Sequence, residues 1–493
     1  MTRRRSGPGP LVALAVAAML PALGLWATWR WADGQAAAAE DGLPPAGSVV
    51  TPPPASAQLA TGLLSLRRTA PALSRQLNLG AFQQRASGVL DLVGERSCAA
   101  LSIDGEPVGA RNAELATIPA STQKVLVAAV ALDVLGPEFV YTTRLVGPAP
   151  SGGVITGDVF LVGGGDPLLS GSWYEDSTLD AMPAFNTTVI DDLATQLSAA
   201  GVTEIRGTLR GDGSRYDDEW YVDTWGEGVA VYEAGPYDAL LVNDARVLGD
   251  EHRSEDPNQA GARELVRILA EHGITVSAGA GTGTAPAEAG ELAAVTSRPL
   301  PAILAEMLTN SDNNTAELLV KEIGLTAAGA GTRQAGLDTI TATISGWGVD
   351  VAGLVLGDGS GLSLDNRVTC TTMLGVLQHA GATSAVGQGL AVAGQTGTMQ
   401  ALFVDTSMAG RLLAKTGTLS NPPFDQDPPA VKALAGYLPV DGGGAVEYVL
   451  ILNGDPNGLP ITEQNAYRPI WAELAEVLGS YPAVASPADL GPR

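Results

Sequence analysis

An α+β fold interrupted by a mainly β insertion is predicted from the distribution of apolar residues along this 493-residue chain. Helical apolar spacing and strand-like apolar runs occur in two stretches, 79–147 and 296–480. Between them, residues 148–295 form short β-like runs separated by turns, such as Val159–Val162 and Gly207–Leu209. The chain is also too long for one ordinary hydrophobic core. We therefore expect one main domain, split by an insert of one or two small domains.

The elements of the main domain follow from local signals. The apolar run Cys98–Ile103 predicts a strand that ends at the turn Asp104-Gly105. After Ile118, a mostly apolar segment predicts a buried helix that ends at Gly136-Pro137. The second stretch predicts helices at Ile303–Leu308, Ala316–Ile323 and Met373–His379, and strands at Arg411–Ala414, Ala433–Tyr437 and Tyr448–Asn453.

The N-terminal residues carry a signature of export. Arg3–Arg5 precede a charge-free stretch, Leu11–Trp29, which is close to the roughly 20 residues that span a bilayer. Residues 1–32 are therefore predicted to be a signal peptide or, as we favour, a retained membrane anchor, followed by a Pro/Ala-rich linker over 33–78. In both cases the rest of the chain is predicted to be extracytoplasmic, either anchored in the cell membrane or secreted to the cell wall. Residues 481–493 are expected to form a tail.

Composition excludes several classes of function. A net charge of −25 argues against a nucleic-acid partner, because binding to the phosphate backbone depends on clustered cations. Two cysteines and three histidines are too dispersed for a recognisable zinc motif, so no metal or other cofactor is predicted. The few histidines also disfavour a Ser-His-Asp triad. Only four lysines occur among the 28 basic residues, so each lysine is informative.

One of these lysines follows a serine at helical spacing. Ser121 and Lys124 form the only Ser-x-x-Lys in the chain, at the start of the predicted apolar helix, and the i, i+3 spacing places both side chains on one face. A lysine whose pKa is lowered by desolvation can take the proton of a serine hydroxyl. The helix N-terminus can also stabilise a developing oxyanion. Taken alone, the motif also fits a chance pair on a solvated helix.

Two further motifs follow in order, Ser311-Asp312-Asn313 and Lys415-Thr416-Gly417. Singly, they fit a helix cap and an exposed strand lysine. Together with Ser-x-x-Lys they form the set found in class A β-lactamases and penicillin-binding proteins. The other two lysines are interpreted as structural, with Lys321 pairing with Glu317 across one helical turn and Lys432 in a polar turn.

From Leu79 to Leu478 the chain resembles the D-alanyl-D-alanine carboxypeptidase/endopeptidase family of class C penicillin-binding proteins. Further similar stretches are Leu161–Pro167, Asp358–Ser363, Asn366–Thr369 and Ala435–Tyr437. The resemblance implies a penicillin-binding-protein/β-lactamase-like transpeptidase domain, with an antiparallel sheet and flanking helices, interrupted by the insert. It also implies peptidoglycan peptides as substrates and β-lactams as acylating inhibitors.

The same resemblance implies roles for individual residues. Ser121 would form the acyl-enzyme, Lys124 would activate it, and Ser311 would relay a proton to the leaving D-alanine. Asn313 would bind the substrate amide.

On the third motif, Lys415, Thr416 and Thr418, with Gly417 between the two threonines, would face the terminal carboxylate. A free carboxylate calls for a cation and hydroxyl donors. The backbone N–H groups of Ser121 and Thr418 would form the oxyanion hole.

Two rival functions share these motifs. A class A β-lactamase needs a glutamate between the second and third motifs, and no Glu occurs from Ile323 to Val446. A cell-wall-binding protein that has lost catalysis would lack Ser121 or Lys124, and both are present. Covalent labelling by a penicillin separates these readings.

Four features outside the motifs carry expectations of their own. Export would allow Cys98 and Cys370 to form a disulfide, the alternative being two buried thiols. Gln395–Thr398 resembles Lys-Thr-Gly-Thr without its lysine and is interpreted as a structural turn. Ser420–Pro429 is longer than expected for the family and is expected to reshape the cleft rim. The aromatic residues between Tyr216 and Tyr237 are expected to pack at a domain interface.

Overall fold

The computed structural model describes residues 28, 30, 66–177, 179, 182–225, 233–419, 431–440, 444–454 and 467–482. The chain divides into two units, Met1–Thr69 and Ala70–Arg493, and the second holds the fold described below. The predicted export segment is outside the described residues except for Thr28 and Arg30. The loop Ser420–Pro429 and the last eleven residues of the predicted tail are outside them as well. Among the described helices, none is both long and apolar enough to cross a membrane.

Ten helices are described. In chain order they are α1 (Leu66–Asp91), α2 (Lys124–Leu135), α3 (Asp191–Ala199), α4 (Pro257–Glu271), α5 (Leu300–Asn310), α6 (Asn313–Ala328), α7 (Arg333–Gly346), α8 (Cys370–Ala380), α9 (Ala385–Gly389) and α10 (Arg468–Gly479). Short 3-10 turns lie at Ala120–Gln123, Asn243–Ala245 and Gly397–Met399.

Sixteen strands are described in the same residues. They are β1 (Cys98–Ile103), β2 (Glu106–Arg111), β3 (Thr142–Gly147), β4 (Val154–Ile155), β5 (Val159–Val162), β6 (Leu169–Ser170), β7 (Thr188–Val189), β8 (Glu204–Ile205), β9 (Leu209–Asp212), β10 (Thr275–Val276), β11 (Ala280–Thr282), β12 (Gly290–Thr296), β13 (Ala391–Val392), β14 (Leu413–Leu419), β15 (Val431–Pro439) and β16 (Ala445–Asn453).

The main domain is built on one antiparallel sheet, in the order β13-β14-β15-β16-β1-β2. Alternate residues of β16 face opposite ways, so Val449 and Ile451 belong to a buried cluster that includes residues of α2, α5, α6 and α8, whereas Leu450 and Leu452 belong to one that includes residues of α1 and α10. The sheet is therefore buried on both faces. The predicted α+β domain with an antiparallel sheet and flanking helices is confirmed.

The inserted region has its own core. Its five-stranded sheet, in the order β11-β9-β5-β3-β12, is covered by α3 and α4 through residues such as Leu193 and Leu265. A three-stranded sheet, β10-β8-β4, and the pair β6-β7 complete it. In the described part of the insert there are thus two helices as well as strands. The predicted boundary after residue 147 is wrong by the length of β3, because β3 belongs to the insert sheet and pairs with β12.

Three local predictions also need correction. The linker predicted over 33–78 is too long, because α1 begins at Leu66 and buries Phe82 and Ala86 against the sheet. The run Gly207–Leu209 overlaps β9 only at Leu209. Lys432 lies in β15 and not in a polar turn.

Candidate active site

Ser121 lies directly before α2, a helix that is buried over most of its length. The 3-10 turn Ala120–Gln123 runs directly into α2, whose first eight residues are all buried. The preceding residue, Ala120, has a left-handed φ of 48°, a costly conformation for a residue with a side chain. The Thr122 hydroxyl donates to the Pro119 carbonyl at 2.7 Å and holds the turn. Ser121 itself is partly exposed, so its hydroxyl is presented at the surface of the core.

Lys124 is fully buried and its amine contacts three oxygen atoms. Nζ lies 3.1 Å from Ser121 Oγ, 2.7 Å from Asn313 Oδ1 and 2.6 Å from the Ser360 carbonyl. The last two oxygens can only accept hydrogen bonds. A neutral amine that donates to both of them therefore directs its lone pair towards the Ser121 hydroxyl. Burial lowers the pKa of Lys124 to about 8, against the opposing effect of the nearby carboxylates.

The Ser360 carbonyl is held by a loop whose role the motifs did not reveal. Asp358 accepts from the backbone N–H groups of Gly361 at 2.9 Å and Ser363 at 2.6 Å. Glu317 of α6 accepts from the backbone N–H of Ser360 at 2.7 Å. Burial, with a further contribution from Asp358, raises the pKa of Glu317 to about 7. In the sequence, Asp358–Ser363 is marked only by the family resemblance, because its contacts with Glu317 and Lys124 join residues far apart in the chain.

The second motif occupies the junction between α5 and α6. Ser311 ends α5 in a left-handed conformation with φ 68°, and the Asp312 side chain caps α6 by accepting from Thr315 N at 2.5 Å. Asn313 is the first residue of α6, and its Nδ2 donates to the Glu233 carbonyl at 2.8 Å while Oδ1 faces Lys124. The helix-cap interpretation therefore holds for Asp312, and the cap places Ser311 and Asn313 at the site.

The third motif lies on β14. Lys415 is fully buried, which excludes an exposed strand lysine, and its Nζ donates to the Thr416 carbonyl at 3.0 Å. Burial and the neighbouring Lys124 hold the pKa of Lys415 well below its usual value. A Cβ at Gly417 would lie 2.8 Å from the Pro119 carbonyl, so the glycine lets β14 approach the turn that carries Ser121. The neighbouring strand β13 pairs only with Leu413 and Ala414, before the motif begins.

A cavity of about 530 Å³ joins these elements to the insert. Of the predicted residues, five line it, and Lys124 and Lys415 are buried behind them. The turn Gln395–Thr398 overlaps the 3-10 turn Gly397–Met399 and also contributes Thr398 to the cavity wall. The insert contributes Pro167–Ser170, Tyr174, Thr187, Asp244 and Arg253, and the main domain contributes Ser121, Ser311, Asn313, Thr416 and Thr418.

Two long segments of the chain, 98–250 and 240–474, match the model of the D-Ala-D-Ala carboxypeptidase 3 (S13) family. The chain belongs to this family. As an S13 protein it is a serine-type D-Ala-D-Ala carboxypeptidase, and the family resemblance seen in the sequence is confirmed. The S13 assignment also decides against a class A β-lactamase.

Two curated relatives of the S13 chain are similar over most of their length. A D-alanyl-D-alanine carboxypeptidase of Actinomadura sp. (strain R39) is 31% identical over 76% of this chain and 80% of the relative. Carboxypeptidase DacB of Mycolicibacterium smegmatis is 28% identical over 90% of this chain and 92% of the relative.

Solved structures share the S13 fold at lower identity. Penicillin binding protein 4 (dacB) from Haemophilus influenzae matches with a TM-score of 0.61, at 21% identity, over 81% of this chain and 99% of that chain. Bd3459, a predatory peptidoglycan endopeptidase from Bdellovibrio bacteriovorus, matches with a TM-score of 0.51, at 16% identity, over 78% and 92%.

The cysteines of the S13 chain form the disulfide that export would allow. Cys98 and Cys370 are bonded, with a Cα–Cα distance of 5.9 Å, and they join β1 to the start of α8. The aromatic interpretation is also confirmed for Tyr216, Trp225 and Tyr237, because Tyr216 and Tyr237 pack with Leu318 of α6 and Trp225 packs against the same cluster. Tyr232 lies outside the described residues.

The structural interpretation of Lys321 is correct, but its predicted partner is wrong. Its Nζ pairs with Asp217 of the insert at 2.6 Å, and Glu317 instead holds the Ser360 loop. The i, i+4 spacing suggested a local pair because spacing alone does not reveal that this face of α6 is covered by the insert.

Proposed function

We propose that this S13 chain cleaves the D-alanyl-D-alanine bond of peptidoglycan stem peptides and cross-links through an acyl-enzyme on Ser121. The arrangement of Lys124 carries the proposal. Its amine donates to two acceptor-only oxygens, which leaves its third contact, Ser121 Oγ, as the group from which it can take a proton.

In acylation, Ser121 Oγ attacks the carbonyl carbon of the penultimate D-alanine as its proton passes to Lys124 Nζ. The tetrahedral intermediate collapses when the C–N bond breaks, and the proton held by Lys124 passes through Ser311 to the leaving amine of the terminal D-alanine. Water then attacks the ester carbonyl, releases the shortened peptide and restores the Ser121 hydroxyl. This sequence requires no cofactor.

Substrate binding is assigned to the cavity walls. Thr416 and Thr418 line the cavity beside Ser121, with Lys415 buried behind them, which supports their proposed recognition of a terminal carboxylate. The N–H groups of Ser121 and Thr418 are the proposed oxyanion donors. Asn313 would keep Oδ1 on Lys124 and offer an Nδ2 hydrogen to the substrate amide.

The proposed location is outside the cytoplasm, attached to the membrane through residues 1–32 or released to the cell wall. The arginine-flanked apolar N-terminal stretch supports export. The disulfide supports it as well, because such bonds persist in oxidising compartments.

β-Lactams are the proposed covalent inhibitors. A related penicillin binding protein 4 from Haemophilus influenzae has been solved in complex with a β-lactam. The test is the intact mass of the purified full chain after benzylpenicillin, together with release of D-alanine from a stem pentapeptide. We expect one drug per chain in the wild type and in Ser87→Ala, a matched control on the exposed face of α1, but none in Ser121→Ala.

An adduct that survives in Ser121→Ala would place the nucleophile elsewhere. If the well-folded wild type gave neither an adduct nor D-alanine, the chain would be a cell-wall-binding protein without catalysis.

A further inference from the structure

The insert reaches the N-terminal end of α6, next to the Ser311–Asn313 motif. Its turn Asn243–Ala245 contains three consecutive non-glycine residues in left-handed conformation, with φ values of 49°, 57° and 61°. Such conformations are costly and persist only where surrounding contacts enforce them. One of these contacts is Asn243 Oδ1, which accepts from the Gly171 N–H at 2.7 Å.

Asp244, at the centre of this turn, contacts both the insert and α6. Its carboxylate forms an ion pair with Arg253, and each side chain is mostly buried. The same carboxylate accepts a hydrogen bond from Nδ2 of Asn314, the second residue of α6. Asn314 is itself buried, so this contact fixes the amide orientation of a residue directly beside Asn313.

A second segment of the insert completes the link to the catalytic lysine. With Nδ2 on Asp244, Asn314 directs Oδ1 to the backbone N–H of Gly235, which donates at 2.7 Å. Two residues earlier, the Glu233 carbonyl accepts from Asn313 Nδ2 at 2.8 Å. Because Nδ2 of Asn313 is held in this way, its Oδ1 faces Lys124 Nζ at 2.7 Å.

We propose that Asp244 is a positioning residue for acylation: through Asn314 and the backbone of 233–235, it orients the Asn313 amide that holds Lys124. The inference rests on the proposed acyl-enzyme function. It assigns to the insert a part in catalysis in addition to its part in lining the cavity. Asp244 acts on Asn313 and Lys124 and does not itself touch the reacting atoms.

The test exchanges the two partners. Asn314→Asp sets two carboxylates against each other at positions 244 and 314, while an acidic side chain in the first turn remains favourable for α6. The double variant Asp244→Asn/Asn314→Asp restores one donor and one acceptor. Asp250→Asn, which removes an exposed ion pair with Arg263 in the same insert, is the matched control.

Two quantities are measured on the full chain. Titration with a fluorescent penicillin counts competent sites, and stopped-flow labelling gives the acylation rate constant of those sites. We expect Asn314→Asp to lower the rate constant roughly 10- to 100-fold, the scale of a small misplacement of catalytic groups. The double variant should return to within about threefold of the wild type, and Asp250→Asn should equal it.

A merely structural role gives a different result, in which the count of competent sites falls but the remaining sites react at the wild-type rate. That result overturns the proposal, as does an unchanged rate in Asn314→Asp or a double variant as slow as the single one. A wild type that is not acylated at all refutes the proposed function instead, so the two failures are distinguishable.

Discussion

Burial outweighs four carboxyl groups in setting the pKa of Lys124. Asp312, Asp358, Glu317 and Glu233 each favour the charged amine, yet desolvation brings its pKa down to about 8. The amine therefore becomes neutral, and able to accept a proton, within a physiologically accessible range of pH.

This pKa predicts the pH dependence of acylation. The reactive form is the neutral amine, so the acylation rate constant should rise as the pH increases through about 8. Glu233→Gln removes a charge that raises the pKa of Lys124, so it should shift the midpoint to lower pH. Stopped-flow labelling with a fluorescent penicillin across this range measures both effects.

The matched control for the pH profile is Glu288→Gln, at an exposed turn of the insert, which should leave the midpoint unchanged. A rate constant that is independent of pH would show that Lys124 is not the base. If the midpoint were equal in Glu233→Gln and the wild type, the charge of Glu233 would have no effect on the pKa of Lys124.

At the scale of elements, the site depends on close backbone approach on both sides of the Ser121 turn. Gly417 of β14 packs against Pro119 on one side. On the other, Gly361, with φ +88°, leaves only 2.1 Å between an added Cβ and the Ala120 carbonyl. The turn is thus confined between a strand and the Asp358–Ser363 loop, which accounts for the enforced left-handed conformation of Ala120.

Gly417→Ala should therefore slow acylation. The new Cβ would meet the Pro119 carbonyl at 2.8 Å and the Ala120 Cβ at 3.3 Å, so the serine turn must shift away from β14. We expect the acylation rate constant to fall at least about tenfold. In Gly290→Ala, where the new Cβ would lie 3.5 Å from the Gly147 carbonyl oxygen, both the rate and the melting temperature should stay near wild type. Equal rates in the two variants would contradict this account.

At the scale of the whole molecule, the insert docks on the main domain through ion pairs of both polarities. Arg215, Asp217 and Glu219 pair with Glu322, Lys321 and Arg333, at 2.7, 2.6 and 2.6 Å. Arg215 and Asp217 thus pair with α6, and Glu219 pairs with α7. The disulfide makes a second long-range connection, within the main domain, across 272 residues of sequence.

Loss of the disulfide should lower stability without altering the chemistry. For so long a loop, a chain-entropy model assigns the bond on the order of 5 kcal/mol of unfolding free energy. The Cys98→Ala/Cys370→Ala variant should show a reduced denaturant midpoint and an acylation rate constant equal to wild type, since the bond lies away from the cavity lining. A slower acylation rate at unchanged stability would show that the bond shapes the site instead.

Features of this molecule that are local in the sequence could be predicted, and features that depend on contacts between distant segments could not. Each of the three motifs is a short run of sequence, so Ser121 and Lys124 were predicted from residue type and spacing, and Asn313 and the β14 threonines from the family resemblance. The partners of Lys321 and Glu317 were not, because each contacts residues of another segment that helical periodicity cannot reveal.

Among the elements of the fold, too, those with a local sequence signal were predicted and those defined by long-range pairing were not. Strands such as β15 and β16 were predicted because long apolar runs mark them. The start of α1 was missed, since its first turns lack a clear apolar stripe. The edge of the insert was misplaced because β3 is identified as an insert strand only by its pairing with β12.

The pairing of β3 with β12 also bears on how such a molecule can be assembled. Thr142 lies opposite Thr296, and the next residues outward, Tyr141 and Ser297, are joined by a backbone hydrogen bond of 3.0 Å. The two points where the chain leaves and re-enters the main domain are therefore adjacent. A host fold could acquire this insert at one peptide bond without moving its own elements, and a short bridge from Tyr141 to Ser297 would close the gap if the insert were removed.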